Sequence, residues 1–250
     1  MPPHLLLLGG TTEATALARK LADTGVQATF SYAGRVERPK AQPLPMRTGG
    51  FGGAEGLAAY ITEAGISHVV DATHPFAAQM STNAVAACRA TGTPLVALTR
   101  PPWRAQPGDD WVHVDSVRAS VRWLDRPAMR IMLAIGRQHL EDFAVEPQHF
   151  YLLRVVDEPR RALPLPDHAL VVGTGPFTLE NDMALMQQHG IELVVSKNAG
   201  GGAARAKIDA ARELGLPVLM IDRPDLPDRL ELNEVDAVLD WFHSDTDRGV

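Results

Sequence analysis

The stretch His4-Leu5-Leu6-Leu7-Leu8-Gly9-Gly10-Thr11-Thr12-Glu13 decides the fold class. Its apolar run is far shorter than the roughly 18 residues of a membrane-spanning helix and suits a strand buried on both faces. Glycines end the run. A helical pattern then follows from about Thr12 to Asp23, with Leu17, Ala18 and Leu21 at core spacing and Gly25 just beyond its end. Strand, glycine turn and helix in that order open a parallel sheet covered by helices.

The same alternation continues outward. Val26–Tyr32, Met46–Thr48, Ser67–Asp71 and Pro94–Leu98 read as strands, with helices over Ala54–Ala64 and Ala77–Ala90. Arg100-Pro101-Pro102-Trp103 through Pro107-Gly108 interrupts it, because proline fixes φ and removes a donor; a domain boundary is placed there, giving domains 1–103 and 104–250. Strands resume at Trp111–Val114, Arg130–Ile135, Phe150–Val155, Ala169–Val172, Glu192–Ser196 and Val218–Ile221, followed by a helix over Asn233–Phe242 and a frayed tail over Ser244–Val250. The expected architecture is two Rossmann-like α/β domains with parallel sheets and a ligand cleft between them.

The 250 residues carry 24 Lys+Arg against 30 Asp+Glu, a net charge of −6, with 45% hydrophobic residues. Such a composition builds ordinary globular cores and excludes collagen-like, coiled-coil and wholly disordered chains. The acidic surplus collects in residues 222–250, where only Arg223, Arg229 and Arg248 oppose it, so most of the chain is nearly neutral. No basic run or basic–aromatic stripe points to nucleic acid, and no apolar run points to a membrane. The N-terminus lacks the pattern of a secretory signal, and the single cysteine, Cys88, fits a reducing compartment; the expected location is the cytoplasm.

In open α/β sheets ligands bind beyond the carboxyl ends of strands, so those loops are searched for chemistry. Gly9-Gly10-Thr11-Thr12-Glu13 reads as a phosphate loop at a helix N-terminus, or as a plain turn with a threonine cap, since the GxGxxG spacing is absent. After the second strand comes Ser31-Tyr32-Ala33-Gly34-Arg35 in place of the carboxylate that grips the ribose of NAD. Arg35 can pair with a 2′-phosphate and Ser31 can add a hydrogen bond, which favours NADPH; a surface arginine after a glycine turn is the bland reading. Gly49, Gly50 and Phe51 suit a backbone pressed against a flat ligand, with Phe51 as wall or as core plug. His74, in Asp71-Ala72-Thr73-His74-Pro75-Phe76, reads as a structural hydrogen-bonding residue or as a proton donor. In the second domain Gly136-Arg137, Gly173-Thr174-Gly175 and Ser196-Lys197-Asn198 follow strands, and Arg137 and Lys197 are cations suited to substrate carboxylates. There is no GxSxG elbow, Walker lysine loop or Cys/His metal cluster, so no metal is expected, and hydride transfer fits what remains.

Leu8–Ala14, Ala33–Arg35, Arg47–Gly52 and Asp71–Ala77, in that order, resemble the precorrin-6A reductase family of cobalamin biosynthesis, and Arg100–Trp103, Gly173–Phe177 and Ser196–Asn198 continue the likeness over nearly the whole chain. Ala199 departs from the serine usual in its loop. The resemblance implies NADPH-dependent reduction of one double bond of the precorrin-6A macrocycle to precorrin-6B. It implies a cofactor held by Gly9, Gly10, Thr11, Thr12, Glu13, Ser31, Gly34 and Arg35, with the nicotinamide near Gly49, Gly50, Phe51, Thr73, Pro75 and Phe76. Arg137, Thr174, Lys197 and Asn198 would orient the macrocycle, with His74, Lys197 or water as proton source, and transient contact with neighbouring pathway enzymes is expected. Two other classes stay open. A short-chain reductase would need a Tyr-x-x-x-Lys pair, and none of Tyr32, Tyr60 or Tyr151 has one. A non-enzymatic NADP sensor would leave the Lys197 loop unexplained.

Overall fold

The computed structural model describes residues 2–33, 40–155, 162–173, 177–202 and 204–248. Two compact units emerge: Met1–Arg100 together with Asp225–Val250, and Pro101–Pro224. Each contains a six-stranded sheet in which every pairing is parallel.

In the first unit β1 (His4–Leu8) lies centrally between β2 (Gln27–Tyr32) and β4 (His68–Asp71). β3 (Met46–Thr48) extends one side; β5 (Leu95–Leu98) and then β12 (Leu230–Leu232) extend the other. Leu5 and Leu7 pack with Leu17, Ala18 and Leu21 of α1 (Thr12–Thr24), and with Val238 and Phe242 of α7 (Val235–Arg248). Leu6 and Leu8 point the other way, onto Leu57 and Ile61 of α2 (Gly53–Glu63) and Ala84, Ala87 and Cys88 of α3 (Ala78–Thr91). The alternation of a strand's side chains thus feeds two cores, which is why the run is apolar at every position. Gly25 adopts φ +70° and closes α1 as its C-cap.

The second unit repeats the plan. Its sheet runs β6 (Trp111–Val114), β11 (Val218–Ile221), β10 (Leu193–Lys197), β7 (Arg130–Ala134), β8 (Phe150–Val155), β9 (His168–Val172). Helices α4 (Val117–Trp123), α5 (Leu179–Gln188) and α6 (Ala206–Glu213) fill the crossovers. Each sheet reverses its strand order once, at β1/β4 and at β7/β10, and the crevice at such a switch point is where α/β sheets bind ligands.

Two expectations are corrected. The assignment of 104–250 to one domain fails at its end: β12 pairs with β5, and α7 packs on the first unit's core, so the C-terminal segment belongs to the first sheet. Only three residues of β12 enter the ladder and two of them are exposed, which leaves no apolar run to read. Nor is Ser244 onward a frayed tail: α7 continues to Arg248, with Asp245 Oδ2 3.1 Å from Nε2 of buried His68.

Candidate active site

At the first switch point the loop after β1 meets the loop after β4. The Gly9 N–H donates to the Ser31 carbonyl at 2.9 Å, and a Cβ at Gly9 would lie 2.1 Å from Phe30 Cζ, so the ring beneath requires glycine. Gly10, at φ +133° with open space where a Cβ would project, exposes backbone directly above the α1 N-terminus. Thr11 is the cap of that helix: its hydroxyl accepts from Ala14 N–H at 3.1 Å and donates to the Ala72 carbonyl at 2.9 Å, joining the two loops. Thr12 donates to Glu13 Oε2 at 3.0 Å, and Glu13 Oε1 faces Arg100 Nε at 3.5 Å.

Beside this loop, β2 and β3 pair in register with Ser31 opposite Arg47. One Arg47 nitrogen, Nη1, donates to Ser31 Oγ at 2.9 Å and to the Gly49 carbonyl at 3.0 Å; Nη2 donates to the Gly50 carbonyl at 3.2 Å. Its guanidinium lies 3.7 Å over the Phe51 ring, which is itself edge-on to Tyr60. Ser31 is buried and engaged by this arginine. Arg35 and Gly34 lie outside the described residues.

Asp71 ends β4 with a side chain only 1% exposed. Its Oδ1 accepts from Thr73 N–H at 3.1 Å and Thr73 Oγ1 at 2.6 Å. Oδ2 accepts from Ser81 Oγ at 2.6 Å and Arg229 Nη1 at 2.5 Å. In the turn that follows, the Ala77 N–H donates to the His74 carbonyl at 2.7 Å, and the Phe76 N–H donates to His74 Nδ1 at 3.2 Å. The neutral His74 ring therefore carries its proton on Nε2, and the residue is exposed, with Pro75 buried behind it.

In the second unit Arg137 follows Gly136 in an exposed turn after β7, and Lys197 ends β10 half-buried. Asn198 is buried; its Oδ1 accepts from Trp103 N–H at 2.8 Å and its Nδ2 donates to the Trp103 carbonyl at 3.0 Å, while Trp103 Nε1 donates to the Gly201 carbonyl at 2.7 Å. The proline-rich segment is thus stitched to the loop after β10. Below that loop Lys207 Nζ, on α6, donates to the Ala204 carbonyl at 2.5 Å and lies 4.9 Å from the Trp103 ring. Burial, then the Arg154 charge, push Lys207 down to about 7, against the pull of Asp182. Arg154 pairs with Asp182 Oδ1, while Asp182 Oδ2 is buried with no hydrogen-bond partner among the described residues. Burial raises the Asp182 carboxyl despite that arginine. Thr174 lies outside the described residues.

Neither Arg47 nor Arg229 is given a role by the sequence. Arg47 lies within the Arg47–Gly53 stretch, where a cation ahead of four glycines is a usable signal; Arg229 has no local signal, because its partner is 158 residues away. Among the described residues no group of three His, Cys, Asp or Glu side chains is placed to hold a metal ion, and no helix is long and apolar enough to cross a membrane.

Strands ordered β3-β2-β1-β4-β5-β12, glycine backbone over a helix N-terminus at the switch point and an arginine beside the second strand define a doubly wound α/β protein with a Rossmann-like first sheet. Comparison with known proteins narrows the class. Residues 4–243 match the model of the family described as Precorrin-6x reductase CbiJ/CobK, and the chain belongs to that family. The precorrin-6A reductase of Rhodobacter capsulatus is 56% identical over 99% of both chains, and that of a Sinorhizobium species 48% identical over 88% of this chain and 85% of its own. The solved structure of a CobK precorrin-6A reductase superposes with a TM-score of 0.91 at 56% identity, covering 97% of this chain and 96% of that one.

Proposed function

We propose that the protein uses NADPH to reduce one double bond of precorrin-6A, giving precorrin-6B in cobalamin biosynthesis. The first unit holds the dinucleotide: pyrophosphate on the Gly9–Glu13 backbone, and nicotinamide beside Gly49–Phe51 and the Thr73–Phe76 turn. Bound NADPH supplies the hydride. The chain's own contribution is to position the reacting carbons, at ~3–3.5 Å, and to exclude water from them. Arg137, Thr174, Lys197 and Asn198 serve the acetate and propionate carboxylates of the macrocycle, Asn198 by shaping the loop that carries Lys197. The Lys197 ammonium, the His74 ring in its imidazolium form, or water delivers the proton to the neighbouring carbon.

The observation that carries the cofactor assignment is the Arg47 guanidinium, held on Ser31 and Phe51 at the ends of β2 and β3. That is the place where the adenosine ribose lies in this type of sheet, and the position holds a cation where an NAD site presents a carboxylate. Arg35, which follows the second strand in the sequence, is the second cation proposed for the 2′-phosphate. Calorimetry with Arg47→Met tests the assignment: NADPH should weaken by about 1.5–3 kcal/mol, the range for a lost charged hydrogen bond, with NADH nearly unchanged. Equal loss for both cofactors sinks the 2′-phosphate role. Single-turnover mixing tests the reaction, since bound NADPH should be oxidised only when precorrin-6A is added.

A further inference from the structure

Asp71 is ringed by donors from two distant parts of the chain. Thr73 and Ser81 lie within ten residues of it, but the fourth donor, Arg229, arrives on the C-terminal segment that returns from the second unit to the first sheet. The Arg229 side chain is 7% exposed, and its Nε donates to Glu231 Oε1 at 3.2 Å, so the guanidinium is held on both sides. A buried ion pair is weak evidence for stability, since desolvation offsets most of the attraction; its better-attested use is to specify one geometry. Here the geometry at stake is the carboxylate's rotamer. With Oδ2 fixed by Arg229 and Ser81, Oδ1 is aimed at the backbone and hydroxyl of Thr73, and the Thr73–Phe76 turn follows from there.

We propose that Arg229 is a positioning residue for the dinucleotide site: through Asp71 it fixes Thr73 and presents the 73–76 turn to the nicotinamide. This rests on the cofactor reading given above. It makes the C-terminal segment part of a site whose other elements all lie within residues 1–100.

The test uses the full-length chain, with NADP⁺ affinity measured by calorimetry and KM measured for each substrate. Arg229→Met should raise the NADP⁺ Kd tenfold or more and raise KM for NADPH, while KM for precorrin-6A stays within twofold. Arg229→Lys, which keeps one charged donor for Asp71, should recover most of the loss. Thr73→Ala should also weaken NADP⁺, and combining it with Arg229→Met should cost less than the two single effects together. A folded Arg229→Met protein with NADP⁺ affinity within twofold of wild type overturns the proposal. So does a parallel rise in both KM values, which marks general loosening. Should Arg229→Met fail to fold, Arg229→Gln takes its place in the cycle with Thr73→Ala, and strictly additive effects overturn it. Wild-type protein that takes up no NADP⁺ overturns the cofactor reading and the relay with it; wild-type uptake with an indifferent Arg229→Met overturns the relay alone.

Discussion

Asp71 in the first unit and Asp182 in the second are buried carboxylates facing arginines, yet their surroundings differ in kind. Asp71 has two donors on each oxygen, and the turn it supports is closed by its own hydrogen bonds. Asp182 has Arg154 on one oxygen and, among the described residues, no hydrogen-bond partner on the other, although buried Lys207 is close enough for their charges to be felt. One network is saturated, with a single cation, Arg229, shared between Asp71 and Glu231. The other gathers two cations around a single carboxylate and leaves both Lys207 and Asp182 shifted toward their uncharged forms. Saturation holds one geometry, and an unsaturated cluster responds to proton and ligand.

The largest effect that can break this contrast is loss of the saturated charge. Asp71→Asn leaves Arg229 buried without its main counter-charge and turns an amide toward donors, which should cost about 3–5 kcal/mol, the range for removing one partner of a buried pair. Asp182→Asn should cost about 1–2 kcal/mol less in the same urea titration, because its amide oxygen still accepts from Arg154 and the lost oxygen had no hydrogen-bond partner among the described residues. Equal costs would show that the two carboxylates do the same task.

Next comes the pH dependence of the second cluster. Lys207 in the folded state titrates near 7, below its ordinary 10.5. Between those values the unfolded chain binds the extra proton, so stability rises with pH from about 7 to 10.5 and is flat for this group below that window. The slope approaches ~1.4 kcal/mol per pH unit, amounting to roughly 2 kcal/mol between pH 7 and 9. Lys207→Met should remove that rise, as urea midpoints at pH 7, 8 and 9 for both proteins would show. Parallel curves would mean that Lys207 keeps its charge in the fold.

The two networks were unequally legible in the sequence. The strands at both switch points were readable because burial on both faces leaves an unbroken apolar run, as in Leu5–Leu8, and Gly25 marked the end of α1 through a left-handed backbone. The motif of the β4 loop was visible, as was the cap role of Thr11 as one of two readings. What could not be read depends on long-range pairing. Arg47 meets Ser31 only through the parallel register of β2 and β3, and Arg229 meets Asp71 only because β12 adds to β5 rather than to the second sheet. Lys207 resembles any helical lysine until α6 is packed beneath Trp103, and a short, half-exposed β12 gives no apolar signal. Local pattern writes the strands and loops, while tertiary register decides which charges meet.

The smallest expected effect uses Cys88 as a probe of the saturated side. Its thiol is pushed up to about 12, first by burial in the core against Leu6 and Leu8 and second by the Asp71 charge. The thiolate is the reactive form, so native protein at pH 8 should resist a disulfide reagent, while urea-unfolded protein reacts at the rate of an ordinary cysteine. Removing the second cause by Asp71→Asn should lower the thiol pKa a little and speed native-state labelling severalfold, provided folded protein is isolated first. No such acceleration should follow Asp182→Asn, since that carboxylate is not among the causes acting on Cys88. Acceleration in both variants in proportion to their losses of stability would mean that labelling reports global opening rather than local charge, and the thiol would then measure stability alone.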